Sequence, residues 1–501
     1  KRQTKLEMEG YVVESMWECQ WENLKKTDPQ VKQIVDSIFI KRRLNAREAF
    51  KGGRTETGLL IYDINNSRFG LGLYYLDICS LYPSVNCFEE YPVGHPEIIT
   101  SDFNLDISEY FGLIQCQVLP PQNLKNGILP EHVNGKLLFP LCRTCALTQQ
   151  TNICQHSETE RSLFGVWVSE ELKQAVENGY KIINIFCVHN FKRKSKELFS
   201  NYIKTFFEMK LTASERPDDE TDDEFEQFIK EINQQMNLNI TKDDFISNAG
   251  LRLLTKLCLN CLWGRLGMRD AFPSIKLVQT YKELDVLMND NTKNISAVRF
   301  LTSSCCAVLL KNNSVDTVNI SNNTNIYLAV FTTAYARMRL YNLIKQVEDR
   351  FVYCDTDSVI FEKSPNESEN LKIGKFLGDL TSELKSDEII TDFVSGGPKV
   401  YAFKTNKNRC VVKIKGFQLC KANSATFSFE NLKKVVENYV TNNINEETGR
   451  VNIRKDFIDS KKLRSSIFET HHRDSDRSNA VAVDNAISLF NINRIRRTNT
   501  W

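Results

Sequence analysis

The sequence predicts an α+β chain in which antiparallel strands carry the functional residues and helices pack beside them. Three stretches carry that expectation. Residues 351–361, FVYCDTDSVIF, set Asp355 and Asp357 between two β-type runs. The intervening residues are turn formers, so the stretch reads as a tight hairpin with carboxylates at its tip. LYYLD (73–77) is a second β-type run, ending on Asp77. YLAVFTTAYARMRLYNLIKQV (327–347) reads as one long helix leading into the hairpin.

The remaining elements follow along the chain. Residues 1–60 hold an apolar stretch, GYVVESMWECQW, and a basic segment ending FKGGRTE, whose Gly52 and Gly53 permit a tight turn or a close backbone approach. After Asp77, CSLYPSVNCFEEYPVGHP reads as a strand-to-loop transition with at most a short helix. Residues 93–194 read as an irregular mixed insertion. Helices are expected over 195–267, from the spacing of Leu198, Tyr202, Phe206 and Met209 and of Phe225, Phe228, Ile229, Ile232 and Met236. The acidic run ERPDDETDDEFE (215–226) reads as a solvated loop between two of them. LRLLTKLCLNCLWGRLG (251–267) is a third helix, stopped by Gly264 and Gly267. Residues 268–325 read as a β insertion, CVVKIKG (410–416) as a strand and 428–440 as helical.

Composition bounds the function. The 501 residues are 41% hydrophobic and 26% charged, as in a globular protein with more than one lobe. Net charge is only +2, yet KRRLNAREAFKGGR, FKRKSK and KTNKNRCVVKIK are local basic patches suited to phosphates. No apolar run reaches the ~18–20 residues of a membrane span, so no membrane partner is expected. Fifteen cysteines, an odd count, suit a reducing compartment, and the expected location is intracellular, not secreted. The start, KRQTKLEMEG, lacks an initiator Met, which suggests a piece of a longer polypeptide.

Several residues are suited to chemistry. Crowded carboxylates repel and need a compensating cation. Asp77 ends a strand, and Tyr82 is held before Pro83. On the 251–267 helix, Arg252, Lys256, Asn260 and Trp263 fall within roughly an 80° sector at ~100° per residue. Two cations, an amide and a tryptophan presented there suit a triphosphate and a base, with Lys210 joining them. Lys413 and Lys415 share one strand face, suited to a nucleic-acid backbone or to plain solvent. Cys142, Cys145, Cys154 and His156 form C-x2-C, eight residues, then C-x-H, a closed set for a structural Zn²⁺ with free thiols as the alternative. The C-x2-C of Cys258 and Cys261 lies inside a helix and reads as packing.

In order, these motifs resemble the family B DNA polymerases. DICSLYPS (77–84) looks like motif A, KLCLNCLWG (256–264) like motif B and YCDTDS (353–358) like motif C. GPKVYAF (397–403) resembles the K-x-Y motif, and FKGG (50–53) the Y-x-G-G linker with Phe for Tyr. The insertion between motifs A and B, together with FTTAYARMRL, resembles the protein-primed branch of phages, adenoviruses and Maverick/Polinton elements. LCRTCA…CQH followed by ER and WVSEEL is most similar to the last of these.

The resemblance implies a right-hand polymerase architecture: an antiparallel-sheet palm (73–92 and 326–418), helical fingers (195–267) and a small thumb (419–501). Residues 1–72 would be upstream region and linker, with insertions at 93–194 and 268–325. It implies template-directed addition of dNMP, with catalytic Asp77, Asp355 and Asp357. Two Mg²⁺ ions would be held by Asp77, Asp357 and the Ile78 carbonyl. Ser80, Leu81, Tyr82, Lys210, Arg252, Lys256 and Asn260 would bind nucleotide; Gly52, Gly53, Lys399, Tyr401 and Lys413 would bind DNA. The implied partners are template-primer DNA, dNTPs and a terminal priming protein, at the nucleus or a viral replication site. Two departures stand out. Cys261 and Trp263 replace the Ser and Tyr of N-S-x-Y-G, and no 3′–5′ exonuclease carboxylate set precedes residue 77. The rival readings are a non-catalytic nucleic-acid-binding remnant, which the three intact aspartates disfavour, and a zinc-stapled protein-binding module at 93–194.

Overall fold

The computed structural model describes residues 43–441 apart from 151–152, 217–220, 270–273, 291–292, 303, 313–323, 366–370 and 416–426, together with most of 7–31. The chain divides into two units, 1–44 and 45–501. In the first, a helix spans Glu18–Thr27, with Glu18 in its first turn where an acidic side chain meets the positive end of the helix dipole.

The second unit is built on a nine-stranded antiparallel sheet. Its order is Thr55–Thr57, Phe351–Asp355, Ser358–Glu362, Leu73–Ile78, Ile390–Ser395, Val400–Thr405, Cys410–Ile414. Leu380–Ser382 also pairs with Leu73–Ile78, and Ile61–Asp63 with Ile390–Ser395. The hairpin and the strand ending at Asp77 form as the sequence predicts, and they are direct neighbours. Residues 55–63 add two short strands to the same sheet.

Behind the sheet lies the helix Ile326–Val347, started by the Asn325 side chain accepting from the Tyr327 and Leu328 amides. It is buried on nearly every side, which is why its sequence is apolar all round. Its polar residues are satisfied internally: Thr332 Oγ1 donates to Asn86 Oδ1 at 2.8 Å, and Tyr91 donates to the same oxygen at 2.7 Å. The short helix after Asp77 spans Leu81–Phe88.

Residues 93–194 are more regular than the sequence suggests. A four-stranded antiparallel sheet runs in the order Glu97–Ile99, Lys181–Asn190, Gly112–Leu119, Leu163–Val168. The helix Ser169–Glu177 packs on it through Leu172 and Ala175, around Trp167. Bulges interrupt Lys181–Asn190, so simple alternation is broken there and the strand pattern is hidden from a period-two reading.

Helices Ser200–Thr212, Asp222–Met236 and Ala249–Leu266 fill 195–267. Three expectations need correction here. The first helix buries Ile203 and Phe207 rather than a Tyr202/Phe206 face. The acidic run is not all loop: Thr221 caps a helix whose first turn is Asp222, Asp223 and Glu224, stabilised by the helix dipole. Gly264 does not stop the third helix; Gly267 ends it. Residues 274–312 form the expected β insertion, three antiparallel strands with a helix at Tyr281–Met288. Phe429–Thr441 is helical, and Phe429, Leu432 and Val436 pack on the sheet. The rest of the expected thumb lies outside the described residues. Among the described residues no helix is long and apolar enough to cross a membrane.

Candidate functional site

Asp77 stands opposite Ser358 in the strand register, and Asp355 opposite Ser358 across the hairpin. Thr356 and Asp357 make the turn. Thr356 has φ +67°, a left-handed conformation unfavourable for a β-branched residue by about 1–2 kcal/mol. Three backbone bonds over-determine it. Thr356 N–H donates to the Arg54 carbonyl at 2.7 Å, Asp357 N–H to the Asp355 carbonyl at 2.7 Å, and Ile78 N–H to the Asp357 carbonyl at 2.7 Å. The turn is thereby locked to the motif strand that carries Asp77.

The carboxylates are crowded. Burial pushes the Asp77 carboxyl up to about 7, and the neighbouring Asp357 and Glu383 charges push the same way. Burial, then Asp355, raise Asp357 to about 6. Lys399 Nζ binds Asp355 Oδ1 at 2.6 Å, and Thr55 and Thr356 hydroxyls donate to the same oxygen at 3.2 and 3.1 Å. Asp355 is thus compensated by protein, whereas Asp77 and Asp357 have no direct ion pair among the described residues. That pattern fits cation ligands.

Beside them, Ser80 (φ +51°) starts the helix Leu81–Phe88, leaving backbone N–H groups at its N-terminus. Lys210 Nζ lies 3.4 Å from Ser80 Oγ. Burial lowers the Lys210 pKa; Cys79 offsets part of this, and the Lys256 and Arg252 charges lower it further. Three cations therefore converge, and among the described residues none of them makes a salt bridge, although the Lys256 charge also acts on Asp77; such a place is suited to phosphates. Asn260 is exposed one turn beyond Lys256.

Trp263 departs from the expectation. It is 6% exposed, on the buried face with Thr255 and Leu259, and stacks on Tyr82 with ring centroids 4.5 Å apart. Phe50 meets its edge at 6.4 Å. A Cβ on Gly53 would lie 2.7 Å from Thr356 Cγ2 and 3.0 Å from the Tyr82 hydroxyl, so this glycine is where backbone must pass close to both. Gly52 has no such neighbour. Cys261 is exposed, against the packing expected of it.

Tyr401 is 2% exposed, hydrogen-bonded to the Tyr75 hydroxyl at 2.9 Å and packed at a tilt against the Tyr353 ring. It braces the sheet beneath Lys399, whose N–H donates to the Tyr353 hydroxyl at 2.8 Å. Lys413 Nζ sits 5.7 Å from the Tyr401 ring centroid, on the same side as Asp77, whose carboxyl it pulls down. Leu81 is buried, so only its backbone faces the site.

Three contributors escaped the sequence. Glu383 adds charge against both Asp77 and Asp357. Arg54 presents its carbonyl to the turn while its Nη1 donates to Gly127 O at 2.7 Å. Phe50 backs Trp263. The available signals were the glycine pair, which marks 50–54 as a close approach, and the likeness of FKGG (50–53) to the Y-x-G-G linker.

Elsewhere, Cys142, Cys145, Cys154 and His156 converge, with ligand atoms all within 4.8 Å of one another. The three sulfurs lie 3.5, 3.3 and 3.5 Å from His156 Nδ1. Zn–S near ~2.3 Å and Zn–N near ~2.0–2.1 Å at tetrahedral angles require N···S edges of about 3.5 Å, so the cage has the right size.

The sequence model of the family described as DNA polymerase type B, organellar and viral, matches residues 27–223 and 219–350. A probable DNA polymerase of Podospora anserina is 26% identical over 451 residues, covering 80% of this chain and 31% of that protein. One of Agaricus bitorquis is 23% identical over 419 residues, covering 78% of this chain and 43% of that protein. The chain thus spans less than half of the length of these relatives. A structure of Phi29 DNA polymerase with primer-template DNA and incoming nucleotide substrates aligns at 16% identity with a TM-score of 0.49, covering 82% of this chain and 61% of that one. The orthorhombic form aligns at 16% identity and TM-score 0.48, covering 77% and 57%.

Proposed function

The chain belongs to the organellar and viral type B DNA polymerases, and on that premise we propose that it is a polymerising core that adds dNMP to a primer 3′-hydroxyl under template direction. The observation that carries the reading is the pair Asp77 and Asp357, pushed up to about 7 and about 6 beside a separate cluster of three cations. Carboxylates that burial and mutual repulsion drive toward protonation are groups awaiting cations. They fit two Mg²⁺ ions, which Asp77, Asp357 and the Ile78 carbonyl would hold. When bound, such a pair would supply activation of the attacking 3′-oxygen and charge stabilisation of the leaving pyrophosphate oxygen.

The chain's own residues do the positioning. Lys210, Arg252 and Lys256, with the Ser80–Leu81 backbone N–H groups, grip the triphosphate. Tyr82, stiffened by its stack on Trp263, lies under the sugar and excludes a 2′-hydroxyl. Asn260 faces the nascent pair. Lys399 and Lys413 hold the primer over the ledge braced by Tyr401, and Gly52–Gly53 passes the template. Asp355 orients Lys399 and its charge holds the turn. In this reading the nine-stranded sheet is the palm, the helices of 195–267 the fingers, and initiation uses a terminal priming protein hydroxyl. The substrates imply work inside a cell, in the nucleus or at a viral replication site. The Cys142–His156 cluster suits a structural Zn²⁺ and takes no part in the chemistry.

The test is extension of a DNA-primed template with dNTPs and Mg²⁺ by the parent chain and by Asp357→Asn. Incorporation by the parent and near-complete loss in the variant, with DNA still bound, is the expected result. Equal extension by both would remove the metal role from Asp357.

A further inference from the structure

We propose that the metal at Cys142, Cys145, Cys154 and His156 positions the catalytic turn, by pinning the edge of the insertion into which residues 51–54 are docked; this rests on the Zn²⁺ reading of that cluster.

Two connections lead from the cluster to those residues. Cys142 caps the six-residue helix Arg143–Thr148, and Arg143 Nε donates to Glu131 Oε1 at 3.1 Å. Glu131 is nearly buried, and its charge acts on the buried Lys51, whose Nζ donates to Val166 O at 3.2 Å and sits over the Trp167 ring. The second connection starts at Phe139, three residues before Cys142. Its ring lies 4.2 Å from the Arg54 guanidinium, which also donates to the Gly127 carbonyl. The far end of the loop is tied to the same place. Arg161, in the helix that follows His156, donates to Pro120 O at 2.7 Å and Leu141 O at 3.5 Å.

Residues 51–54 then reach the catalytic turn directly. Arg54 O accepts from Thr356 N–H, and Gly53 sits against Thr356 and Tyr82. A helix of six residues does not hold itself together in water. With four ligands on one ion, the metal-binding free energy becomes the folding free energy of this loop. Removing the ion frees Arg143 and Phe139, and the loss is felt at Thr356 through Glu131, Lys51 and Arg54. Three thiolates and an imidazole select Zn²⁺ over the hard Mg²⁺ required at the carboxylates, so the two sites do not compete for one ion.

The experiment uses the whole chain. Zinc content is measured by elemental mass spectrometry, and Co²⁺ substitution reads the thiolate-rich tetrahedral site by its visible absorption. Hydrogen exchange then follows the Thr356 amide and the 50–57 segment, a readout independent of polymerase activity. One Zn²⁺ per parent chain is expected, lost in Cys145→Ser and Cys154→Ser and retained in Cys154→His. Stripping zinc with phenanthroline in excess Mg²⁺ is expected to speed Thr356 exchange by ~10-fold or more, while Val400–Thr405 stays protected. Glu131→Gln is the variant that separates the claims. It is expected to keep zinc yet loosen the same amides, and to lower the dNTP turnover number roughly 2- to 30-fold with DNA affinity unchanged. A folded parent without zinc overturns the zinc reading and this inference together. Bound zinc with unchanged Thr356 exchange, both after stripping and in Glu131→Gln, overturns the positioning role alone. The exchange result stands whether or not the parent extends primers.

Discussion

Replacing Asp357 by Asn should stabilise the Mg²⁺-free chain while abolishing its activity. The folded state raises this carboxyl from 3.8 to about 6, chiefly through burial and the Asp355 charge. A rise of that size is worth about 3 kcal/mol of destabilisation once the group is forced to ionise. Partial solvent access and coupling to neighbouring carboxylates reduce the expected gain to about 1–3 kcal/mol. The sign follows from proton counting. Below pH ~4 both states hold the proton and the penalty is absent. Between about 4 and 6 the unfolded chain releases its proton first, so folding stability falls as pH rises. Above about 6 the folded chain is ionised as well and carries the full penalty, which Asn never meets.

The assay is urea unfolding of parent and Asp357→Asn at pH 5 and pH 8, in Mg²⁺-free buffer without chelator so that any zinc stays bound. The variant should be more stable at pH 8 by about 1–3 kcal/mol, with the gap shrinking toward pH 4. Adding Mg²⁺ should stabilise the parent and close the gap, because only the parent gains a ligand-bound folded state. Equal stabilities at pH 8, or a destabilised variant with unchanged unfolding cooperativity, would refute the idea that the fold carries an uncompensated carboxylate there.

Other perturbations follow from the same geometry. Gly53→Ala puts a methyl 2.7 Å from Thr356 Cγ2 and 3.0 Å from the Tyr82 hydroxyl, so steady-state extension should show a raised dNTP KM and a reduced kcat. Trp263→Ala removes the surface behind Tyr82; unfolding should show a loss of about 3–5 kcal/mol, and extension with ribonucleotides should show weaker discrimination. Lys399→Ala removes a charge that lowers the Asp357 pKa, so the acid limb of the activity–pH profile should move to higher pH and the Mg²⁺ requirement should rise. Glu171→Ala strands the buried Arg337 guanidinium, bound through bonds of 2.7 and 2.9 Å, and should lower stability by about 3–5 kcal/mol in denaturant titration.

The parts of the site that were legible in the sequence are those set by neighbouring residues. The hairpin was visible because β-type runs flank turn formers, and the Cys/His set because its ligands lie within fifteen positions. The buried helix was visible because apolar residues recur along the whole of 327–347 with no glycine or proline to break it. What was not legible depends on which distant surface covers a residue. Arg252, Lys256, Asn260 and Trp263 do share a sector, and at ~100° per residue Trp263 lies inside it, between Arg252 and Lys256. Trp263 is buried all the same because Tyr82 and Phe50 are there to meet it. Glu383 carries no local signal; its place follows from the pairing that sets Leu380–Ser382, just before it, alongside Asp77. Half of the acidic run became helix because Thr221 and Glu224 cap each other, a local signal that the run of like charge concealed.

The segment 50–54 explains why the proposed site, spread over distant sequence blocks, can hold one geometry. Phe50 reaches the motif B helix, packing on Trp263 and closing against Gly267, where an added Cβ would sit 2.6 Å from its ring. Lys51 enters the insertion. The Lys51 and Gly52 carbonyls accept from Arg337 at 2.7 and 3.1 Å, which ties them to the long helix. Gly53 touches motifs A and C at once, and Arg54 supplies the carbonyl that holds the strained Thr356. Strand pairing through Ser358 sets the register of Asp77 and Asp355, and these five residues add a further tie to the turn between them. Strain at Thr356 and repulsion between carboxylates both favour opening the turn, and neither strand of the hairpin alone opposes them. One of the opposing bonds, Thr356 N–H to Arg54 O, comes from a segment anchored in three other elements, so loosening any one anchor should be felt as a change at the turn.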